Sequence, residues 1–169
     1  MRRRVGTSLY AGLLFTVLGA VAWASGQPFV FPSLGPSAYI LAFDRRGERT
    51  HAYRVVGSHV IGAIAGLGAY WAVAPGVTLT TLPPALSTDG LRLATSGVLS
   101  IVATSWAMIA TDTNHAPACA TTLIVSLGLL STPLQATIIV ASVVGLVAVH
   151  LSVMWLFERV VGESHPAYR

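Results

Sequence analysis

The chain has 169 residues, 54% of them hydrophobic and 9% charged, with a mean hydropathy of +0.71. That composition excludes an ordinary soluble domain and leaves room for one helical bundle in a lipid bilayer. The net charge of +4 comes from ten Arg and no Lys, clustered at 2–4 and at 45, 46, 49 and 54 beside apolar spans. This is a positive-inside distribution with no aromatic residues interleaved in a basic groove, so no nucleic-acid partner is expected.

The first apolar span is 5–24. Arg2-Arg3-Arg4 before it and Ala22-Trp23-Ala24-Ser25 at its end mimic a signal peptide. The apolar run is as long as a full span, however, and a signal core is about 7–15 residues, so it is read as a retained first helix. The next segment, Pro28 to Phe43, is short and contains Ser33-Leu34-Gly35-Pro36-Ser37. Pro28 and Pro32 predict extended chain over 27–35. Pro36 suits the first position of a helix over 36–43, with Ser33 or Gly35 near its cap. The span 55–74 follows, carrying Ser58, His59, Gly62 and Gly66.

After the loop 75–90 the layout repeats: a long span at 93–111, a short segment from His115 to Leu130, and a long span at 134–157. The second short segment opens Asn114-His115-Ala116-Pro117-Ala118. Thr113 and Asn114 are cap candidates, as is Asp112, and the helix is expected to run to about Leu130, ended by Gly128 and Pro133. Each short segment, at 16 residues, makes about 24 Å of pure helix against a hydrocarbon core of ~30 Å.

The arginines select the topology. If the short segments dip in and return, the Arg-rich loop 44–54 lies opposite the N-terminal arginines and the loop 75–90, without a basic residue, is cytoplasmic. If both cross, the N-terminus, the loop 44–54 and the C-terminus (Arg159, Arg169) share the cytoplasmic side, with only Arg92 misplaced. The expected fold is therefore all-α integral membrane, with six membrane segments: four long and two short and proline-broken. They form one domain over 1–169 made of two inverted-topology three-segment repeats, 1–75 and 91–158. Broken helices in inverted repeats let polar backbone reach a solute at membrane depth. The expected location is the plasma membrane.

A helix N-terminus with free N–H groups suits a small anion. Ser33, Gly35, Pro36 and Ser37 form one candidate binding set, unless they only kink a packing helix. Asn114, His115 and the N–H groups after Pro117 form the other. An imidazole at membrane depth is costly and commonly functional, so His115 is read as a donor or proton carrier, or else as a cap. His59 either lines the pathway or bonds a neighbouring helix. His150 is read as a helix–helix hydrogen-bonding residue, and His51 and His165 as surface groups. Gly62 and Gly66, extended by Ser58, form a small-residue packing stripe. Trp23, Trp71 and Trp155 suit interfacial belts, while Trp106 lies deeper. Cys119 stands alone, so no intramolecular disulfide is possible.

Three stretches carry a resemblance: Phe31-Pro32-Ser33-Leu34-Gly35-Pro36-Ser37-Ala38, then Val56-Gly57-Ser58-His59-Val60-Ile61-Gly62, then Asn114-His115-Ala116-Pro117-Ala118-Cys119-Ala120-Thr121. In this order they resemble the Ser-Phe-Gly-Ala-Ser-Ala, Gly-Gly-His and His-Pro-Pro motifs of the HPP family of integral membrane proteins. The resemblance implies a membrane domain of about four helices, in some members fused to CBS domains, and a role in transporting a small inorganic anion, with nitrite foremost. The chain departs from the family pattern at Ala116, in place of the middle proline. It departs again at Asp112, where many relatives carry a basic residue. No CBS domain is recognisable.

The alternative is a non-transporting membrane scaffold or sensor subunit. An enzyme is not expected: no His-x-x-x-His, Cys-x-x-Cys or intramembrane carboxylate supplies a metal site or general base. Neither a cofactor nor a metal is expected. A bundle this small makes a homo-oligomer plausible.

Overall fold

The structure, a computed structural model, describes residues 2–27 and 30–161, with backbone only at Arg2, Arg3, Arg49 and Val161. Pro28, His165 and Arg169, which figure in the sequence reading, lie outside the described residues. The elements in order are α1 (Arg2–Ser25), α2 (Leu34–Phe43), α3 (Ala52–Val73), α4 (Thr88–Ala110), α5 (Ala118–Ser126) and α6 (Pro133–Val161). A 3-10 turn, Glu48–Thr50, precedes α3, and no strand occurs among the described residues. Four helices, α1, α3, α4 and α6, are long and apolar enough to cross a membrane.

Local chemistry sets the helix ends. Ser87 caps α4 by accepting from the Gly90 N–H at 3.1 Å. Pro133 opens α6, and Thr132 and Gln135 form a reciprocal capping box: Gln135 N–H donates to Thr132 Oγ1 at 3.3 Å and Thr132 N–H to Gln135 Oε1 at 3.2 Å.

Both short helices differ from expectation. The first, α2, begins at Leu34, two residues early, so Pro36 is its third residue; the first turn tolerates it because those N–H groups have no intrahelical acceptor. Ser33 lies before it in helical φ/ψ and makes no side-chain cap. The second, α5, starts at Ala118, with Pro117 at the cap position, and neither Thr113 nor Asn114 nor Asp112 caps it. Thr113 Oγ1 instead meets Thr111 Oγ1 at 2.8 Å, and Asp112 pairs with Arg54 at 2.7 Å. The helix stops at Ser126 and not near Leu130, because Gly128 at φ +74° turns the chain and the N–H of Leu129 closes back on Ile124 O at 3.1 Å.

Contacts sort the chain into two ends. At one end the Tyr10 hydroxyl meets His150, His150 meets the Arg45 carbonyl, Arg46 pairs with Glu158, and Arg54 pairs with Asp112. At the other end Arg92 donates to the Val73 carbonyl, Leu79 N–H to Leu127 O, and Trp71 Nε1 to Ser131 O. The stretch after Asp112 runs alongside α3: a Cβ on Gly57 would lie 3.1 Å from Thr113 and one on Gly62 2.8 Å from the Ala118 carbonyl, while one on Gly128 would lie 2.9 Å from Tyr70.

The helices pack as two groups. α1, α2 and α6 contact one another, as do α3, α4 and α5, and α3 lies against α6 between the groups. Leu14, Leu18, Leu34, Leu41, Ile139, Val143 and Leu146 fill the first group and meet Val55 and Val125 of the second. Gly62 and Gly66 let α5 approach α3 until an added Cβ would stand 2.7 Å from Thr122 Oγ1 or 2.8 Å from Thr122 O. The outer faces carry exposed Leu9, Ile64, Trp106 and Leu134, as contact with lipid requires.

Candidate functional site

α2 and α5 are 10 and 9 residues long, about 15 Å each, or half a hydrocarbon core. Their N-terminal ends meet inside the bundle. Ser37, in the first turns of α2, lies 3.0 Å from His115 Nε2 and 3.1 Å from His59 Nε2. His59 reaches onward through Nδ1 to Thr121 Oγ1 at 2.7 Å. The two imidazole rings are tilted, with centroids 5.5 Å apart. Ser37, His59 and Thr121 are fully buried and His115 nearly so.

Ser37 has one hydroxyl proton and three neighbours, since its Oγ also lies 3.2 Å from the Ser33 carbonyl. At least one imidazole must therefore present an N–H to it. If the hydroxyl donates to Ser33 O, both imidazoles donate to Ser37, and His59 Nδ1 then accepts from Thr121. The cluster thus holds transferable N–H and O–H donors beside two helix N-termini, a setting that favours negative charge.

The candidate residues are not all equivalent in place. Ser37, His59 and His115 bond directly. Ser33 is fully buried, and its hydroxyl has no partner among the described residues. Gly35 is half-buried in open space, where even an added Cβ would meet nothing within 4 Å. Pro36 is exposed, and Pro117 is buried at the cap of α5. Asn114 is exposed and, with His115, Ala116 and Cys119, lines a groove closed by Ile40 of α2 and by Ser105, Met108 and Ile109 of α4. Next to it Arg54 binds Asp112 at 2.7 Å and approaches Glu48 at 3.7 Å. The Asp112 carboxylate is thereby matched by a guanidinium.

Thr121 had no assigned role from sequence, although it stands in the third motif stretch; a hydroxyl one helical turn beyond Pro117 was the available signal. His150 holds the other buried imidazole contact, with Tyr10 Oη at 2.9 Å and the Arg45 carbonyl at 3.1 Å, and Arg45 lies over the Tyr10 ring at 4.9 Å. It fastens α1, α6 and the 44–51 loop, the helix–helix role expected of it. Among the described residues no three His, Cys, Asp or Glu side chains are grouped to hold a metal ion.

These features define a class: a helical membrane protein with two half-length helices converging on a buried polar cluster. A sequence profile for the HPP transmembrane region matches residues 1–167, and the chain belongs to that family. No curated protein and no solved structure matches it.

Proposed function

We propose that this protein is a plasma-membrane transporter of a small inorganic anion, nitrite foremost, and neither an enzyme nor a scaffold. One observation carries the reading: the hydroxyl of Ser37 joins His59 and His115 where the N-termini of α2 and α5 meet. Hydrogen-bond donors and two positive helix ends at membrane depth are the recurring means of binding an anion there. A bent, three-atom anion accepts hydrogen bonds at both ends and would take the donors that the serine and the imidazoles now give one another. The family resemblance supplies nitrite as the leading solute.

On this reading the six segments all cross. The first end, with its arginines and both termini, is cytoplasmic, and the 74–87 loop is external. The two halves, 1–75 and 91–158, are inverted repeats. The contacts that place Arg45 and Asp112 at one end and Leu79 and Ser131 at the other support this arrangement.

The experiment is uptake of labelled nitrite into proteoliposomes. Wild type accumulates it, and His115→Ala, still monodisperse in detergent, does not. Unchanged uptake by His115→Ala removes the assignment. Cysteine labelling tests the topology: a residue in 44–54 that reacts from outside intact cells overturns it.

A further inference from the structure

A row of hydroxyls leads away from the histidine cluster. Ser96, Ser100 and Thr104 fall at four-residue intervals on α4, so they share one face and span about 12 Å of its length. All are fully buried. The facing helix α5 presents Thr122 and Ser126, also four apart and fully buried. The two sets interleave: Thr104 Oγ1 meets Thr122 Oγ1 at 2.9 Å, and Ser96 donates to the Ser126 carbonyl at 2.8 Å. At its inner end the row abuts Thr121, which His59 holds. At its outer end Tyr70, Ala74 and Leu93 form a buried apolar cluster with Val77 and Leu127.

Hydroxyls between membrane helices often serve as packing contacts. Ser126 does not fit that role. Its side chain is fully buried, yet its Oγ has no partner among the described residues. It stands one turn after Thr122 on the face whose carbonyl Ser96 holds, so it belongs to the row. An unpaired hydroxyl at such depth is destabilising, and a packing role needs no such group. The other unpartnered buried hydroxyl among the described residues is that of Ser33, whose carbonyl lies 3.2 Å from Ser37 Oγ.

We infer that the Ser96–Ser100–Thr104 face of α4, with Thr122 and Ser126 of α5, is the route a small anion takes between the histidine cluster and the 74–87 end. The inference rests on the transport reading and deepens it by assigning the path. In this conformation the Tyr70–Leu93 cluster seals the route. Ser100 donates to Gly97 O and Thr122 to Ala118 O, at 2.9 and 3.2 Å. Rotation about χ1 turns those hydroxyls from backbone carbonyls toward a passing anion, and the Ser126 hydroxyl is free to donate without breaking any bond.

Two measurements test this. Ser100→Cys and Val102→Cys are exposed in oriented vesicles to an anionic, membrane-impermeant methanethiosulfonate from the 74–87 side, with modification read on the α4 peptide. Val102 faces outward, 61% exposed. The route requires Ser100→Cys to react faster than Val102→Cys; equal rates, or no reaction at Ser100→Cys, overturn it. Labelling needs no transported solute, so it decides the route even if nitrite is not carried. In the second measurement Ser126→Ala loses no hydrogen bond and keeps or gains thermal stability. Its uptake falls about tenfold, the effect of one lost donor; full uptake by Ser126→Ala overturns the inference.

Discussion

Ser37→Ala is the sharpest perturbation. It deletes one oxygen and leaves His59 Nε2 and His115 Nε2, at 3.1 and 3.0 Å in the intact protein, without their shared partner. Interhelical hydrogen bonds in membrane bundles average about 0.6 kcal/mol and reach about 1.7. Two of them give a loss of about 1–3 kcal/mol in stability. Donation to a bound anion is worth more, about 1.5–3 kcal/mol for a charged partner, so uptake should fall roughly 10- to 150-fold. The assay pairs proteoliposome uptake with unfolding in mixed detergent micelles, for Ser37→Ala, His115→Ala and the double variant. Because the two side chains share one bond, their effects on uptake should not add: the double variant should be little worse than the worse single one. Additive losses would refute the coupling through Ser37, and full uptake by Ser37→Ala would remove the serine from the site.

Gly62→Ala places a Cβ 2.8 Å from the Ala118 carbonyl, whereas Gly68→Ala meets nothing within 4 Å; thermal unfolding should show a loss of about 1–3 kcal/mol for the first and little change for the second. Tyr10→Phe removes only the 2.9 Å contact to His150, so it should cost about 0.5–1.5 kcal/mol in the same measurement and leave nitrite uptake intact. Asp112→Asn strips the carboxylate from the 2.7 Å pair with Arg54 beside the groove. It should strengthen anion binding at low ionic strength, an effect that disappears as salt is added to the uptake assay.

Much of this was legible in the sequence for physical reasons that can be named. The long helices follow from uncharged stretches long enough to cross a bilayer; the caps that start α4 and α6, Ser87 and the Thr132–Gln135 pair, were not read from it. The prolines of the short segments marked where helices break. Their true starts were less legible, because Leu34 and Ala118 are ordinary apolar residues and the cap positions, Ser33 and Pro117, make no side-chain cap bond. Nor could the end of α5 be read closely, since the reversal depends on Gly128 packing so near the Val77 carbonyl that an added Cβ would clash with it, a tertiary contact. Ser37 and His115 were named, but their meeting joins residues 78 positions apart. The Ser–Thr row was invisible as a unit, because Ser96, Ser100 and Thr104 look like any small polar residues until α5 is laid against them.

The packing groups bear on how such a site can open. Ser37 stands in the α1–α2–α6 group, while His59, His115 and Thr121 belong to α3, the loop before α5, and α5. Exchanging the elements of the first half with those of the second in order, α1 with α4, α2 with α5 and α3 with α6, turns one packing group into the other. The two halves of the chain are thus interleaved in the packing, and the seam between the two groups runs through the polar cluster. Gly62 and Gly66 hold α5 in close contact with α3. Separation along the seam would break the two Ser37 bonds and leave His59–Thr121 whole. Breaking them costs about 1–3 kcal/mol, an amount that an anion taking both imidazole donors can offset. On the transport reading, release of Ser37 is then the step at the cluster itself, separate from the opening of the Tyr70–Leu93 seal.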